Sequence, residues 1–194
     1  MKITVMDYTS LPINLISLSA GTCYGKDDAP AKRAETAFKR GHMSVFEHAK
    51  VTVYIEGISR ACANQLVRHR MASYCQESQR YVKVDTTGDQ WYVMPPSVSL
   101  KGKTYYKFIM LQAAKAYHAL LDSGVAPEDA RYVLPNACKT NIMMTMNVRE
   151  LFHFFALRDD SHAQWEIRKL AQKLREVCSE LDSDWNALMK FDKE

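Results

Sequence analysis

The densest group of chemically capable side chains is Arg68-His69-Arg70, followed after seven residues by Ser78, with Arg80 and Tyr81 close behind. Guanidinium groups bind phosphate or carboxylate through two parallel hydrogen bonds, so such a cluster suits anionic ligands. The run closes a stretch with helical spacing, where the negative end of the helix dipole tolerates cations. Adjacent helical residues diverge by about 100°. Arg68 and Arg70 are therefore expected to face different ways and to grip two anions, or two parts of one large anion. The loop that follows offers Gln76, Ser78 and backbone N–H groups for a second phosphate. A solvated basic helix end accounts for the same residues without any ligand.

Three other groups carry polar chemistry. Asn147, Arg149, His153 and Arg158 lie close in sequence, and Arg149 and His153, four apart, share a helix face away from Phe152 and Phe155. Polar groups set between aromatic stripes suit a planar heterocycle, although a charged outer face and a capping role for Asn147 explain them as well. His42, Ser44, Glu47 and His48 form the second group. Histidines six apart do not share a helix face, and no HExxH pattern occurs, so no metal is expected. The third is Ala130-Arg131 running into Leu134-Pro135, where proline can hold an arginine rigidly. His118 reads as structural.

These groups need elements to position them. Ile3–Met6 and Val51–Ile55 read as strands, the latter β-branched and aromatic. Helices are expected over 11–20, over 30–40 with Pro30 in the first turn and Gly41 as the stop, and over 58–71 with Ile58, Ala61, Cys62 and Leu66 buried. Residues 73–80 read as a loop, 81–84 as a strand and 85–103 as a connecting loop. A long helix over 105–121 ends at Gly124, and Pro127 opens a short turn that Pro135 closes. Residues 140–146 suit a strand. Asn147 then caps a helix that buries Val148, Leu151, Phe152 and Phe155, with Glu150 in the capping-box position. A second box at Ser161 and Gln164 opens a helix that buries Ala163, Ile167, Leu170, Leu174, Val177 and Leu181. Several helices, a few strands and no regular βαβ alternation make the fold α+β: one domain over 1–194, with helices around a small sheet and a long helical C-terminal region.

Composition excludes several classes. The chain has 194 residues, 47% hydrophobic and 25% charged, ordinary for a globular protein. A net charge of +4 is too small to announce nucleic acid. The five cysteines are odd in number, irregularly spaced and without CxxC, so neither a disulfide framework nor a zinc knuckle is expected. No apolar run approaches the ~20 residues of a membrane span. The N-terminus lacks an apolar signal core, and a cytoplasmic location is expected.

Taken together, the motifs resemble the flavin-dependent thymidylate synthases. The signature of that family is RHR, seven residues, then Ser; here it continues as Ser78-Gln79-Arg80-Tyr81 after a helix bearing Gln65. His42-x-Ser44-x-Phe46-Glu47-His48 precedes it. Ala130-Arg131-x-x-Leu134-Pro135, Asn147-x-Arg149, and Leu157-Arg158 running through to Ile167 follow in family order, so the resemblance spans roughly residues 40–170. It implies methylation of dUMP to dTMP with FAD, methylenetetrahydrofolate and NADPH (or NADH), in a homotetramer with shared active sites. It implies that Arg68, His69, Arg70, Ser44, Glu47, Gln76, Asn147, Arg149 and His153 line the flavin site. It implies that Gln65, Gln76, Glu77, Ser78, Gln79 and Arg80 hold dUMP, with Arg131 and Arg158 supplied by a neighbouring subunit. Arg158 and Ser78 would be catalytic, Arg158 by stabilising charge that develops on the pyrimidine.

The chain departs from the pattern in two places. Cys75-Gln76 stands where many members have Asn-Glu, and His153 where others have Asn. Both replacements keep hydrogen-bonding capacity. The family uses no cysteine to attack uracil, and Cys138, the nearest candidate for that role, is expected to be dispensable. Two alternatives differ in class: a flavin- or nucleotide-binding module without methyl transfer, and a nucleic-acid-binding domain using Arg68, Arg70 and Arg80. A steep salt dependence of binding would mark the second.

Overall fold

The computed structural model describes residues 1–192. The chain runs through β1 (Lys2–Tyr8), α1 (Pro12–Thr22), α2 (Ala31–Lys39), a 3-10 turn (Met43–His48), β2 (Lys50–Ser59), α3 (Arg60–Leu66) and β3 (Ala72–Gln76). It continues through α4 (Leu100–Asp122), α5 (Pro127–Ala130), a second 3-10 turn (Arg131–Val133), β4 (Lys139–Asn147), α6 (Val148–Arg158), α7 (Trp165–Ser179) and α8 (Ser183–Leu188).

The strands form one antiparallel sheet in the order β1-β2-β4-β3. β2 and β4 alternate buried and half-buried residues, the period of a sheet with one face on a core. Their register sets Val51 against Met146, Val53 against Met144 and Ile55 against Ile142 on that face. On the other face the hydroxyls of Thr52 and Thr145 are hydrogen-bonded at 2.9 Å. A bulge between Ile55 and Ile58 contains Gly57, whose φ of +71° suits glycine.

Helices α6 and α7 cover the buried face. Val148, Leu151, Phe152, Phe154 and Phe155 of α6 and Ile167, Leu170 and Leu174 of α7 join the sheet residues in the main core. A smaller cluster of Trp91, Tyr92, Met110, Ala114 and Cys138 lies under α4. The fold is α+β, as expected.

Several local expectations are corrected. The helix before the RHR run ends at Leu66, so Arg68, His69 and Arg70 occupy a turn between α3 and β3. The Tyr74 hydroxyl donates to the carbonyls of Leu66 (3.1 Å) and His69 (2.9 Å), which fixes that turn. Of residues 73–80, expected as loop, 73–76 pair with β4 as part of the edge strand β3. Local polarity hid them, and pairing with a neighbour decided them. Residues 81–84 form no strand. The helix expected from Tyr105 starts earlier, where the Ser99 side chain caps it. The cap of α7 is Gln164, not Ser161. His118 is exposed and meets Thr86 at 2.8 Å.

Candidate active site

His69 is the buried centre of the site, with its side chain 2% exposed. The turn after α3 aims it inward between α6 residues. Its Nε2 accepts a hydrogen bond from Arg158 Nε–H at 3.0 Å, and its Nδ1 meets Glu150 Oε1 at 3.2 Å. A guanidinium can only donate, so Nε2 must accept, and the single proton of the neutral ring then sits on Nδ1 and is donated to Glu150. Burial holds the His69 pKa below its ordinary value, against the raising effect of the Glu150 hydrogen bond and with help from the Arg158 charge. Phe154 packs edge-on against the ring at 4.9 Å, and the His153 ring lies 5.7 Å away.

Residue order on α6 produces this arrangement. The Asn147 side chain accepts from Glu150 N–H at 2.9 Å and starts the helix. The expected second half of the capping box is missing, because the Glu150 side chain turns to His69 instead. Glu150 is buried while Arg149 and His153 are exposed, and Arg158 closes the same helix about two turns beyond Glu150.

Three cavities receive the residues singled out in the sequence. One of about 350 Å³ is lined by Glu47, Met71, Asn147, Arg149, Glu150 and His153. Arg149 Nη1 pairs there with Glu47 Oε1 at 2.5 Å. Arg149 also borders a larger cavity of about 810 Å³ between α1, α2 and the first 3-10 turn, where Ser44 lies with His42, Lys26 and Arg40. Arg68 and Arg70 are exposed and, among the described residues, form no ion pair.

The third cavity, about 400 Å³, holds Glu77, Ser78 and Gln79. Gln76 is on β3 and donates to Thr140 Oγ1 at 3.2 Å. Arg80 Nε pairs with Glu128 Oε2 at 2.7 Å, and Arg131 Nε–H donates to the Glu128 carbonyl at 2.9 Å. Arg80 and Arg131 therefore meet at Glu128 within one chain. Gln65 is half-buried on α3. Within a single chain the residues are thus divided: Glu77, Ser78 and Gln79 line one cavity, while Arg158 lies beside His69.

Sequence reasoning missed Tyr74, which clamps the turn, and the partnership of Glu150 with His69. It also missed Glu128, which organises two arginines. Only Glu150 left a trace in the sequence, and its position suggested a cap.

Cys138 is fully buried, and burial pushes its thiol up to about 11. His69, Glu150 and His153 bring three ligand-type atoms within 4.8 Å of one another. The Arg158 bond to Nε2 leaves Nδ1 protonated, so that grouping does not suit a metal.

The fold and these groups define a class. The chain matches the family model for thymidylate synthase complementing protein over residues 4–182, and it belongs to that family, the flavin-dependent thymidylate synthases. It is similar to the flavin-dependent thymidylate synthase of Geobacter sulfurreducens, 49% identical over 187 residues that cover 90% of this chain and 80% of the relative. It is 38% identical to that of Pyrococcus furiosus, over 100% of this chain and 84% of the relative. Among solved structures, a flavin-dependent thymidylate synthase of Helicobacter pylori complexed with FAD and dUMP matches with a TM-score of 0.80 at 24% identity, covering 98% of each chain. A UMP/dUMP methylase of Streptomyces cacaoi bound with 5-Br dUMP matches with a TM-score of 0.83 at 23% identity, over 97% of this chain and 94% of that one. At these identities the likeness shows the fold.

Proposed function

We propose that the chain methylates dUMP to dTMP, with FAD as cofactor, methylenetetrahydrofolate as one-carbon donor and NADPH or NADH as reductant. The observation that carries the reading is the convergence of Glu47, Asn147, Arg149 and His153 on one cavity beside buried His69. Names and bound ligands of the relatives support it.

The residues fit a flavin dinucleotide. Arg68 and Arg70, exposed and without ion pairs among the described residues, match a diphosphate in charge. Asn147, Arg149 and His153 supply polar edges, and Met71 an apolar contact. When bound, FAD supplies the redox chemistry of the methyl transfer and its final reduction.

The protein's part is to bind, orient and stabilise charge. Neutral His69 holds Arg158 by Nε without cancelling its charge, as a carboxylate would. Arg158 so held keeps its charge for a ligand, suited to stabilising an electron-rich pyrimidine. Ser78 and Gln79 line the pocket of the nucleotide. Cys138, buried and protonated at neutral pH, is unsuited to attack uracil. The larger cavity, cationic through Lys26 and Arg40, suits an anionic co-substrate.

The working form is a homotetramer. The separation of Arg158 from Glu77, Ser78 and Gln79 within one chain supports sharing of sites between subunits, with Arg158 contributed across an interface; the same role is proposed for Arg131 on the family resemblance. Tyr105, Phe108 and Ile109 of α4, exposed by 75%, 56% and 56%, form an apolar stripe for such contacts. No helix among the described residues is long and apolar enough to cross a membrane.

The test is the visible spectrum of the purified protein. An oxidised-flavin spectrum that dUMP perturbs, followed by dTMP formation with the co-substrates, is expected. A folded protein that neither carries nor takes up FAD overturns the reading.

A further inference from the structure

The geometry points to Glu150 as a positioning residue for the reaction: its carboxylate keeps the His69 proton on Nδ1 and, through the ring, holds Arg158 for the pyrimidine. The inference rests on the role of Arg158 proposed above, and it adds a residue outside the motifs that carry the family resemblance. It starts from a cost. Glu150 is 7% exposed, and a buried carboxylate is unfavourable unless it is paired and hydrogen-bonded. Helix α6 does not need this side chain, because Asn147 already caps it through the Glu150 N–H. The adjacent cation, Arg149, is paired with Glu47. Among the described residues, the side chain that the Glu150 carboxylate hydrogen-bonds is His69, at 3.2 Å.

Arg158, His69 and Glu150 are thus linked in series, at 3.0 Å and 3.2 Å. A guanidinium only donates and an ionised carboxylate only accepts. The ring satisfies both in one state, neutral with its proton on Nδ1. A proton on Nε2 would set two donors against each other at Arg158 and two acceptors at Glu150, so both bonds would be lost together. A second proton on the ring would break the Arg158 bond alone. The seat of the ring is fixed by other groups: Phe154 packs on it at 4.9 Å, and the Tyr74 hydroxyl pins the His69 carbonyl at 2.9 Å. What remains open is which nitrogen carries the proton, and the bond at one nitrogen settles the state of the other. Glu150 makes that choice. A carboxylate placed directly on Arg158 would orient it as well, but through a close pair that offsets its charge. One ring away, it orients the guanidinium and leaves the charge to the ligand.

Histidine labelled with 15N in the flavin-loaded enzyme reports the proton position at His69, whose signals are assigned by their loss in His69→Asn. The parent is expected to show Nδ1 protonated and Nε2 bare, and Glu150→Leu to show Nε2 moving toward the protonated form. With FAD saturating, Glu150→Leu should lower kcat for dTMP formation about tenfold, as for loss of one charge-assisted hydrogen bond. KM for dUMP should change by less than about twofold, since the loss falls on the transition state. Glu150→Gln keeps an acceptor for Nδ1–H and recovers most of the rate. In the Arg158→Gln background Glu150→Leu should have little further effect, because losses routed through one residue do not add. If Glu150→Leu does not fold, Glu150→Asp, which withdraws the carboxylate by one methylene, carries the same comparisons. A protonated Nε2 in the parent, an unchanged kcat, or losses that add in the double variant overturns the inference and leaves the proposed function standing. A parent that binds FAD and dUMP but forms no dTMP overturns both.

Discussion

Arg158 rests on His69, not on a carboxylate: its Nε–H donates to His69 Nε2 at 3.0 Å. Glu150, on the far side of the ring, fixes the tautomer that can accept. The imidazole is thus an orienting spacer that keeps a guanidinium in place and charged. Arg158→Gln should lower kcat for dTMP formation by about 10²-fold or more, with flavin content unchanged. Steady-state kinetics beside the visible spectrum checks it. A loss confined to KM would contradict the assigned role.

The same triad predicts a pH dependence of stability. Burial, aided by the charge of Arg158, holds the folded pKa of His69 below the ordinary histidine value, which is about 6.5. The unfolded chain therefore takes up this proton at higher pH than the folded one. Stability from this group is complete above about pH 6.5 and is lost as pH falls below that toward the folded value. Urea midpoints at pH 7.5 and 5.5 should fall more in the parent than in His69→Asn. Equal falls would mean that His69 does not titrate as described.

Arg149 and Glu47 separate binding from stability. Their pair is half-exposed, and pairs of that kind contribute about 0–1 kcal/mol. Arg149→Gln should leave Tm within a few degrees of the parent and weaken FAD binding by about tenfold or more. Flavin titration alongside thermal melting distinguishes the two effects.

Cysteine reactivity should follow burial. Cys23 and Cys75 are exposed, whereas Cys62, Cys138 and Cys178 are buried. Two thiols should react with an aromatic disulfide reagent in the native chain and the rest only after unfolding. Cys138→Ala should keep turnover. Loss of turnover with normal FAD content would restore a role for that thiol.

Glu166 predicts a purely structural loss. It is 3% exposed and accepts from Ser59 N–H at 2.8 Å and Ser59 Oγ–H at 2.5 Å. The Ser59 hydroxyl in turn accepts from Cys62 N–H and caps α3. Glu166→Ala orphans two buried donors and should destabilise the chain by about 2–4 kcal/mol. Denaturant unfolding measures it.

Residue type, period and spacing determined a good deal about this chain. The β-branched and aromatic run Val51–Ile55 and the Met- and Thr-rich run 140–146 marked the two central strands, and Asn147 marked the start of α6, because strand preference and capping are local physics. The order of motifs around RHR identified the family and the residues worth following. Tertiary structure decided what each polar group does. β3 was hidden, since a short polar edge strand exists only through its pairing with β4. The RHR run looked like a helix end, yet His69 is turned inward because Glu150 and Arg158, 81 and 89 residues away, offer it partners in the core. Glu150 suggested a cap by spacing and became a buried acceptor. Such choices depend on which distant groups share a low-dielectric interior, where an unpartnered polar atom is costly, and no local window of sequence contains that information.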